Sequence, residues 1–178
     1  SEDLGEEIGR SFQIPRTAED LRLKREAYFL WAQANCGMIG RSPDFLNVML
    51  AALAAKKSFF AEDSVDRANN VVEYYRFVAT NDLFMTHALL DPQLDKGKLR
   101  NEQSDPGICL RVVDENEHGI VLSGIKRIAT AAPYADELLV WPFPPTFQEG
   151  EESYANVFAV PMNSKGLKTL CRPSFSNI

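Results

Sequence analysis

The sequence is short of the features that usually announce a function. Its 178 residues hold three cysteines, Cys36, Cys109 and Cys171. They are widely spaced and odd in number, with no C-x-x-C pair, so they build neither a disulfide framework nor a zinc site, and a reducing cytoplasm suits them. Positive charge is also scarce. The formal net charge is −6, and the scattered Lys and Arg residues lack the concentrated basic face that nucleic acid requires. No apolar run approaches the roughly 20 residues of a membrane span. The opening SEDLGEEIGR is acidic where a secretory leader would be basic, and with no initiator Met it reads as a piece of a longer polypeptide. There is no G-x-G-x-x-G, P-loop, H-E-x-x-H or nucleophile elbow, and no metal site is expected.

What is present is ordinary globular material whose periodicity changes halfway. A hydrophobic content of 45% can bury a core, and the length fits one domain or two small ones. Residues 1–16 are polar and read as a connecting segment. Thr17-x-x-Asp20 has the form of a capping box with Asp in the Glu position. It precedes Leu21, Tyr28, Leu30 and Trp31 at helical spacing, and Gly37 suits the left-handed residue that ends such a helix. In GRSPDFLN, residues 40–47, Ser42 suits an N-cap, Pro43 the first helical position and Asp44 the positive end of the dipole. A second helix is therefore expected through Phe45, Leu46, Met49 and Leu53. Capping does not account for Arg41, a cation on the unfavourable side of a helix start. A third helical stretch reads from about Asp66 to Leu90, where Asp91-Pro92 ends it.

From about residue 106 the pattern becomes alternating or continuous. ICLRVVDE, GIVLSG, DELLVW, YANVFAVP and GLKTLC read as short strands, with DENEHG as a hairpin turn. Helices followed by strands give an α+β class, with a connecting segment and helical domain over 1–92 and a linker and antiparallel β domain over 93–178.

Few side chains carry chemistry on residue type alone. His118 falls in the hairpin turn, where a solvated role is expected. His87, in FMTHALL, is either a hydrogen-bonded core histidine or a group that titrates near neutral pH. Arg41 is either a surface arginine in a loop or a placed cation. The cysteines read as small buried apolar groups, and Tyr28, Trp31, Tyr74 and Tyr75 as packing.

Three segments in one order change these odds. GRSPDFLN, then THALLDPQLDK, then GIVLSGIKRIATAAPYADELLV resemble the signature segments of the 4-hydroxyphenylacetate 3-hydroxylase family, the oxygenase components of two-component, flavin-dependent aromatic monooxygenases. The resemblance covers about 30–175. It implies an acyl-CoA-dehydrogenase-like architecture, with an N-terminal helical domain, a β-barrel-like middle domain and a C-terminal helical bundle that this chain does not include. It also implies reduced FAD from a separate flavin reductase, dioxygen as co-substrate, a small phenolic substrate, and a homotetramer assembled through the C-terminal helices.

Carried over residue by residue, the resemblance places Arg41 and its neighbour Ser42, Phe45 and His87 around the phenolic hydroxyl, with Arg41 and His87 catalytic. His87, Ala88 and Leu89, then Gln93, Leu94, Asp95 and Lys96, line the isoalloxazine edge largely through backbone groups. Thr130, in IATAAP, turns its hydroxyl to the flavin ring. The chemistry is coherent: a phenol of pKa ~10 costs about 4 kcal/mol to ionise at pH 7. A charge-assisted hydrogen bond from Arg41 returns ~1.5–3 kcal/mol, and His87 takes the proton. The electron-rich ring then accepts oxygen ortho to its hydroxyl.

Two positions depart from the family pattern. Phe45 stands where well-known members have Tyr and offers no hydroxyl to the phenolic oxygen. In WPFPPTF, Phe143 and Pro144 replace hydroxyl residues of relatives that bind an arylacetate carboxylate, which implies an uncharged or bulkier aromatic substrate. Two other functions compete. A 4-hydroxybutyryl-CoA dehydratase would add an iron–sulfur cluster, which needs several cysteines at close approach. A diverged scaffold would keep the fold without the chemistry.

Overall fold

The computed structural model describes residues 5, 7–38, 44–117, 119–143 and 145–173. Contacts divide the chain into two compact units, Ser1–Met85 and Thr86–Ile178. The sequence reading places the change after residue 92, seven residues further on.

The first unit is helical. α1 (Ala18–Ala34) begins at the expected capping box: Thr17 accepts from the Asp20 amide, and the Asp20 carboxylate takes the Thr17 amide. It ends as Gly37 takes φ +70° and its amide reaches Ala32 O at 2.8 Å. α2 (Phe45–Ala55) follows the buried Asp44, while Ser42 and Pro43, the expected cap and first turn, lie outside the described residues. α3 (Lys57–Ala61) is a single turn, and α4 (Val65–Thr80) starts on a Ser64 side-chain cap. The core of this unit gathers Leu46, Leu50, Ala68, Tyr75, Val78 and Phe12, and the Tyr75 hydroxyl donates to Phe12 O at 2.9 Å. α1 departs from the expected packing, since Leu21, Leu30 and Trp31 remain exposed and the residue it buries is Lys24, whose ammonium donates to Ser11 O and Gln13 O.

The third helix ends earlier than its apolar pattern suggests. α4 stops at Thr80, and Met85–Leu90 forms strand β1 instead of a last helical turn. A short apolar run such as FMTHALL satisfies either period. Asn81 and Asp82, the latter at φ +49°, break the helix first.

The second unit carries β2 (Arg111–Asn116), β3 (Gly119–Ser123), β4 (Glu137–Phe143) and β5 (Phe158–Pro161). β2 and β3 form the expected antiparallel hairpin, with a bulge between Val112 and Asp114. β1, β4 and β5 form a separate sheet in that order, and β4 and β5 run antiparallel from Glu137↔Pro161 to Val140↔Phe158. GLKTLC, expected as a strand, is irregular over its described residues.

The described strands do not close into one barrel, which corrects the barrel-like expectation. On β1 the residues 126–130 supply one antiparallel bridge, Leu90↔Arg127. The ladder goes no further because Ile128 and Ala131 adopt left-handed φ of 61° and 65°. Ala88, Leu138 and Val140 form the centre of the small core, with Leu110, Ala129, Phe158, Val160 and Met162 packed around them. At the end of β3, Gly124 has φ +129°, and a Cβ there would lie 2.5 Å from Cys109 O and from Leu110 Cα. Only glycine allows the backbone that approach. Among the described residues no helix is long and apolar enough to cross a membrane.

Candidate functional site

β1 carries three of the candidate residues, His87, Ala88 and Leu89. Alternation sends Thr86 and Ala88 to one side and His87 and Leu89 to the other. His87 is 3% exposed, and its imidazole stacks on the Trp141 indole of β4, with ring centroids 5.7 Å apart at 27°. The stack fixes the ring plane and keeps it away from bulk water. The Thr86 hydroxyl donates to Thr130 O, so residue 130 lies alongside the 86–87 step of the strand, and Thr130 is itself exposed. The bond ties the Thr130 backbone to the side chain of the residue before His87.

Past β1 the chain turns through 91–98, where Gln93, Leu94, Asp95 and Lys96 are all exposed. Ala88 is buried in the small core, and the Leu89 carbonyl accepts from Lys126 Nζ at 3.1 Å. Beside the turn is a cleft of about 340 Å3, whose lining includes Leu90, Gln93, Cys109, Arg127 and Phe143. Gln93 and Phe143, read from the sequence as a cofactor and a substrate contact, therefore share one hollow. Its volume is at the lower end of the range of small-molecule pockets, roughly 300–1,000 Å3.

A group of buried charges that the sequence reading missed lies against this cleft. Asp91 pairs with Arg100 (Nε to Oδ2, 2.9 Å) and with Lys126 (Nζ to Oδ1, 2.6 Å). Glu151, 1% exposed, accepts from the Arg100 amide at 3.1 Å and the Gln148 amide at 3.1 Å, and Arg100 Nη1 stands 3.4 Å from it. Two cations face two carboxylates, so the burial leaves no net charge uncompensated. Arg100 also lies over the Phe147 ring, 5.2 Å from its centroid, and Arg127 Nε donates to Asp91 O at 3.1 Å. Cys109 Sγ lies 3.8 Å from Pro92 O. Burial first, and then the Asp91 carboxylate, push its thiol pKa up.

Among the other expected site residues, Phe45 opens α2 in the first unit and is half-buried. Arg41, Ser42 and Pro144 lie outside the described residues, as does His118. No cluster of three or more potential metal ligands occurs among the described residues.

Residues 1–178 match the family described as 4-hydroxyphenylacetate 3-hydroxylase N terminal. A 4-hydroxyphenylacetate 3-monooxygenase oxygenase component from Thermus thermophilus is 45% identical over 172 residues, which are 96% of this chain and 34% of that protein. The crystal structure of an oxygenase component of 4-hydroxyphenylacetate 3-monooxygenase, complexed with FAD and 4-hydroxyphenylacetate, superposes with a TM-score of 0.80 at 44% identity, over 91% of this chain and 33% of that one. An oxygen-tolerant 4-hydroxybutyryl-CoA dehydratase from N. maritimus superposes with a TM-score of 0.77 at 26% identity, over 92% of this chain and 32% of that one. The chain thus spans about a third of the length of these relatives. By a match that runs its whole length, it belongs to the 4-hydroxyphenylacetate 3-hydroxylase family and corresponds to that family's N-terminal part.

Proposed function

We propose that the chain is part of an oxygenase component that hydroxylates a phenolic substrate ortho to its hydroxyl, using dioxygen and reduced FAD delivered by a separate flavin reductase. One observation carries the reading: more than nine-tenths of the chain matches named oxygenase components, one of them solved with FAD and 4-hydroxyphenylacetate.

The residues present fit a flavin. The turn after β1 offers exposed polar side chains at Gln93, Asp95 and Lys96 and an exposed apolar one at Leu94, beside the cleft. Thr130 adds an exposed hydroxyl-bearing residue next to β1. This combination suits a planar ring with polar edges. His87, Ala88, Leu89 and Gln93 to Lys96 would hold it, with Thr130 at its face. Bound there in reduced form, FAD supplies, with dioxygen, the electrophilic oxygen atom.

The remaining work belongs to the protein. His87, held by Trp141 and shut off from solvent, accepts the phenolic proton, and Arg41 holds the resulting oxyanion. General-base assistance of this kind contributes typically 10²–10⁴-fold to a rate. Phe45 closes the phenolic end without donating a hydrogen bond. Phe143, half-exposed beside the cleft, offers an apolar surface where a substrate carboxylate would need donors, which favours an uncharged phenol over 4-hydroxyphenylacetate. Cytoplasmic tetramers, assembled through helices beyond this part of the protein, complete the reading.

The test supplies the full-length protein with a flavin reductase, NADH, FAD and either 4-ethylphenol or 4-hydroxyphenylacetate, and measures the catechol formed. The reading predicts a catechol from at least one phenol, with the higher kcat/KM for 4-ethylphenol. Flavin oxidation with no catechol from either overturns the reading. Higher kcat/KM for the arylacetate overturns the role given to Phe143.

A further inference from the structure

The turn 93–96 carries exposed side chains, yet its backbone is held from beneath by one buried amide. Gln103 is 6% exposed. Its Oε1 accepts from the Asp95 amide at 2.9 Å, and its Nε2 donates to Asp95 O at 2.9 Å, so the side chain pairs with residue 95 as a neighbouring strand would. The same Nε2 lies 3.1 Å from both Lys98 O and Leu99 O. One side chain thereby engages four backbone groups across five residues, its two N–H donors shared among three carbonyls. Gly97 and the Asp95 carboxylate close the turn locally, Gly97 N to Oδ1 at 2.9 Å.

The position of Gln103 is itself fixed by the charges beside the cleft. Gln103 directly follows the short 3-10 turn Arg100–Glu102. The amide of Arg100 is bound to Glu151 and its guanidinium to Asp91, so this turn is tied to the end of β1 and to the 148–151 loop. Cys109 Sγ meets Pro92 O at the other end of the segment. A loop of surface side chains that is tied down through its own backbone is preorganised, which is what a ring bound through backbone groups requires.

We infer that Gln103 is a positioning residue for the flavin, pinning the backbone at Asp95, Lys98 and Leu99 so that the turn 93–96 keeps the shape that receives the isoalloxazine edge. The inference rests on the function proposed above. Gln103 also borders the cleft, but the role assigned to it is to hold this backbone, not to touch flavin or substrate.

The test is anaerobic titration of the full-length protein with reduced FAD, comparing wild type, Gln103→Met and Gln103→Glu, with melting curves of the flavin-free proteins alongside. Met keeps the length and removes every hydrogen bond, and the expected result is at least tenfold weaker binding. Glu keeps the shape but turns the donor into a buried carboxylate facing three carbonyls. Its binding should be weak at neutral pH and recover as pH falls and the protonated acid donates again, a pH profile absent from wild type and from Gln103→Met. If wild type binds reduced FAD and both variants bind within twofold of it at every pH, Gln103 is only a stabilising residue and the inference is overturned. If wild type itself fails to bind reduced FAD, the proposed function falls first. Should Gln103→Met not fold, the pH profile of Gln103→Glu decides the matter alone.

Discussion

Burial separates the three cysteines sharply. Cys36 and Cys171 are exposed and Cys109 is buried, with its thiol pKa raised by desolvation and by Asp91. An acid whose folded pKa lies above its unfolded value stabilises the fold fully below the unfolded value, about 8.5 for a thiol, and that contribution is lost as pH rises through the folded value. Melting curves of wild type and Cys109→Ala between pH 7 and pH 10 should therefore converge as pH rises, since the variant lacks this alkaline loss. Parallel curves would contradict the assignment. The sequence reading of all three cysteines as buried small apolar groups holds only for Cys109; Cys36 sits exposed in the left-handed turn that ends α1, at φ 53°. His87 was legible as a residue of interest, but its stacking partner was not. Trp141 lies 54 positions away, and pairing across a sheet leaves no local trace in the chain.

At the scale of elements, local chemistry was readable and long-range pairing was not. The Thr17-x-x-Asp20 cap of α1 and the β2–β3 hairpin follow from a few neighbouring residues, and both form as expected. β1 was misread as helix because seven apolar-rich residues are too few to separate a period of 3.6 from a period of 2. Glu151, within an acidic EGEE stretch, looks solvated in sequence and is in fact among the most buried side chains. Its carboxylate is bound by the amide and the guanidinium of Arg100, 51 positions away. Gly124 offers a direct check on how the hairpin meets the rest of its unit. Gly119 and Gly124 have similar φ, +124° and +129°, but an added Cβ meets nothing within 4 Å at Gly119 and backbone at 2.5 Å at Gly124. Gly119→Ala should cost about 1–3 kcal/mol from backbone strain. Gly124→Ala should cost at least about 2 kcal/mol beyond that by urea unfolding. Equal costs would mean that the close approach of β3 to Cys109 is not held in solution.

For the molecule as a whole, class and order of elements were legible, while closure was not. The helix-then-strand sequence gives α+β, and the structure has it. Barrel closure depends on how the strands meet, and two left-handed residues, Ile128 and Ala131, limit that meeting beside β1. The site was legible only as a set of motifs in order: sequence spacing places Gln93 and Phe143 nowhere near each other, yet both line one cleft. The proposed chemistry concentrates on His87, whose 3% exposure and indole stack equip it to take a proton away from bulk water. Because the flavin contact proposed for this residue is made through its backbone, replacing the His87 side chain should strike turnover and spare flavin binding.

The most direct measurement is a single turnover. Full-length wild type and His87→Asn, each loaded anaerobically with reduced FAD and 4-ethylphenol, are mixed with oxygenated buffer, and the catechol formed per flavin is quantified. The account predicts a yield approaching one catechol per flavin in wild type, and a rate of catechol formation at least about 10²-fold lower in His87→Asn with reduced FAD still bound. Catechol formed by His87→Asn at the wild-type rate would contradict it.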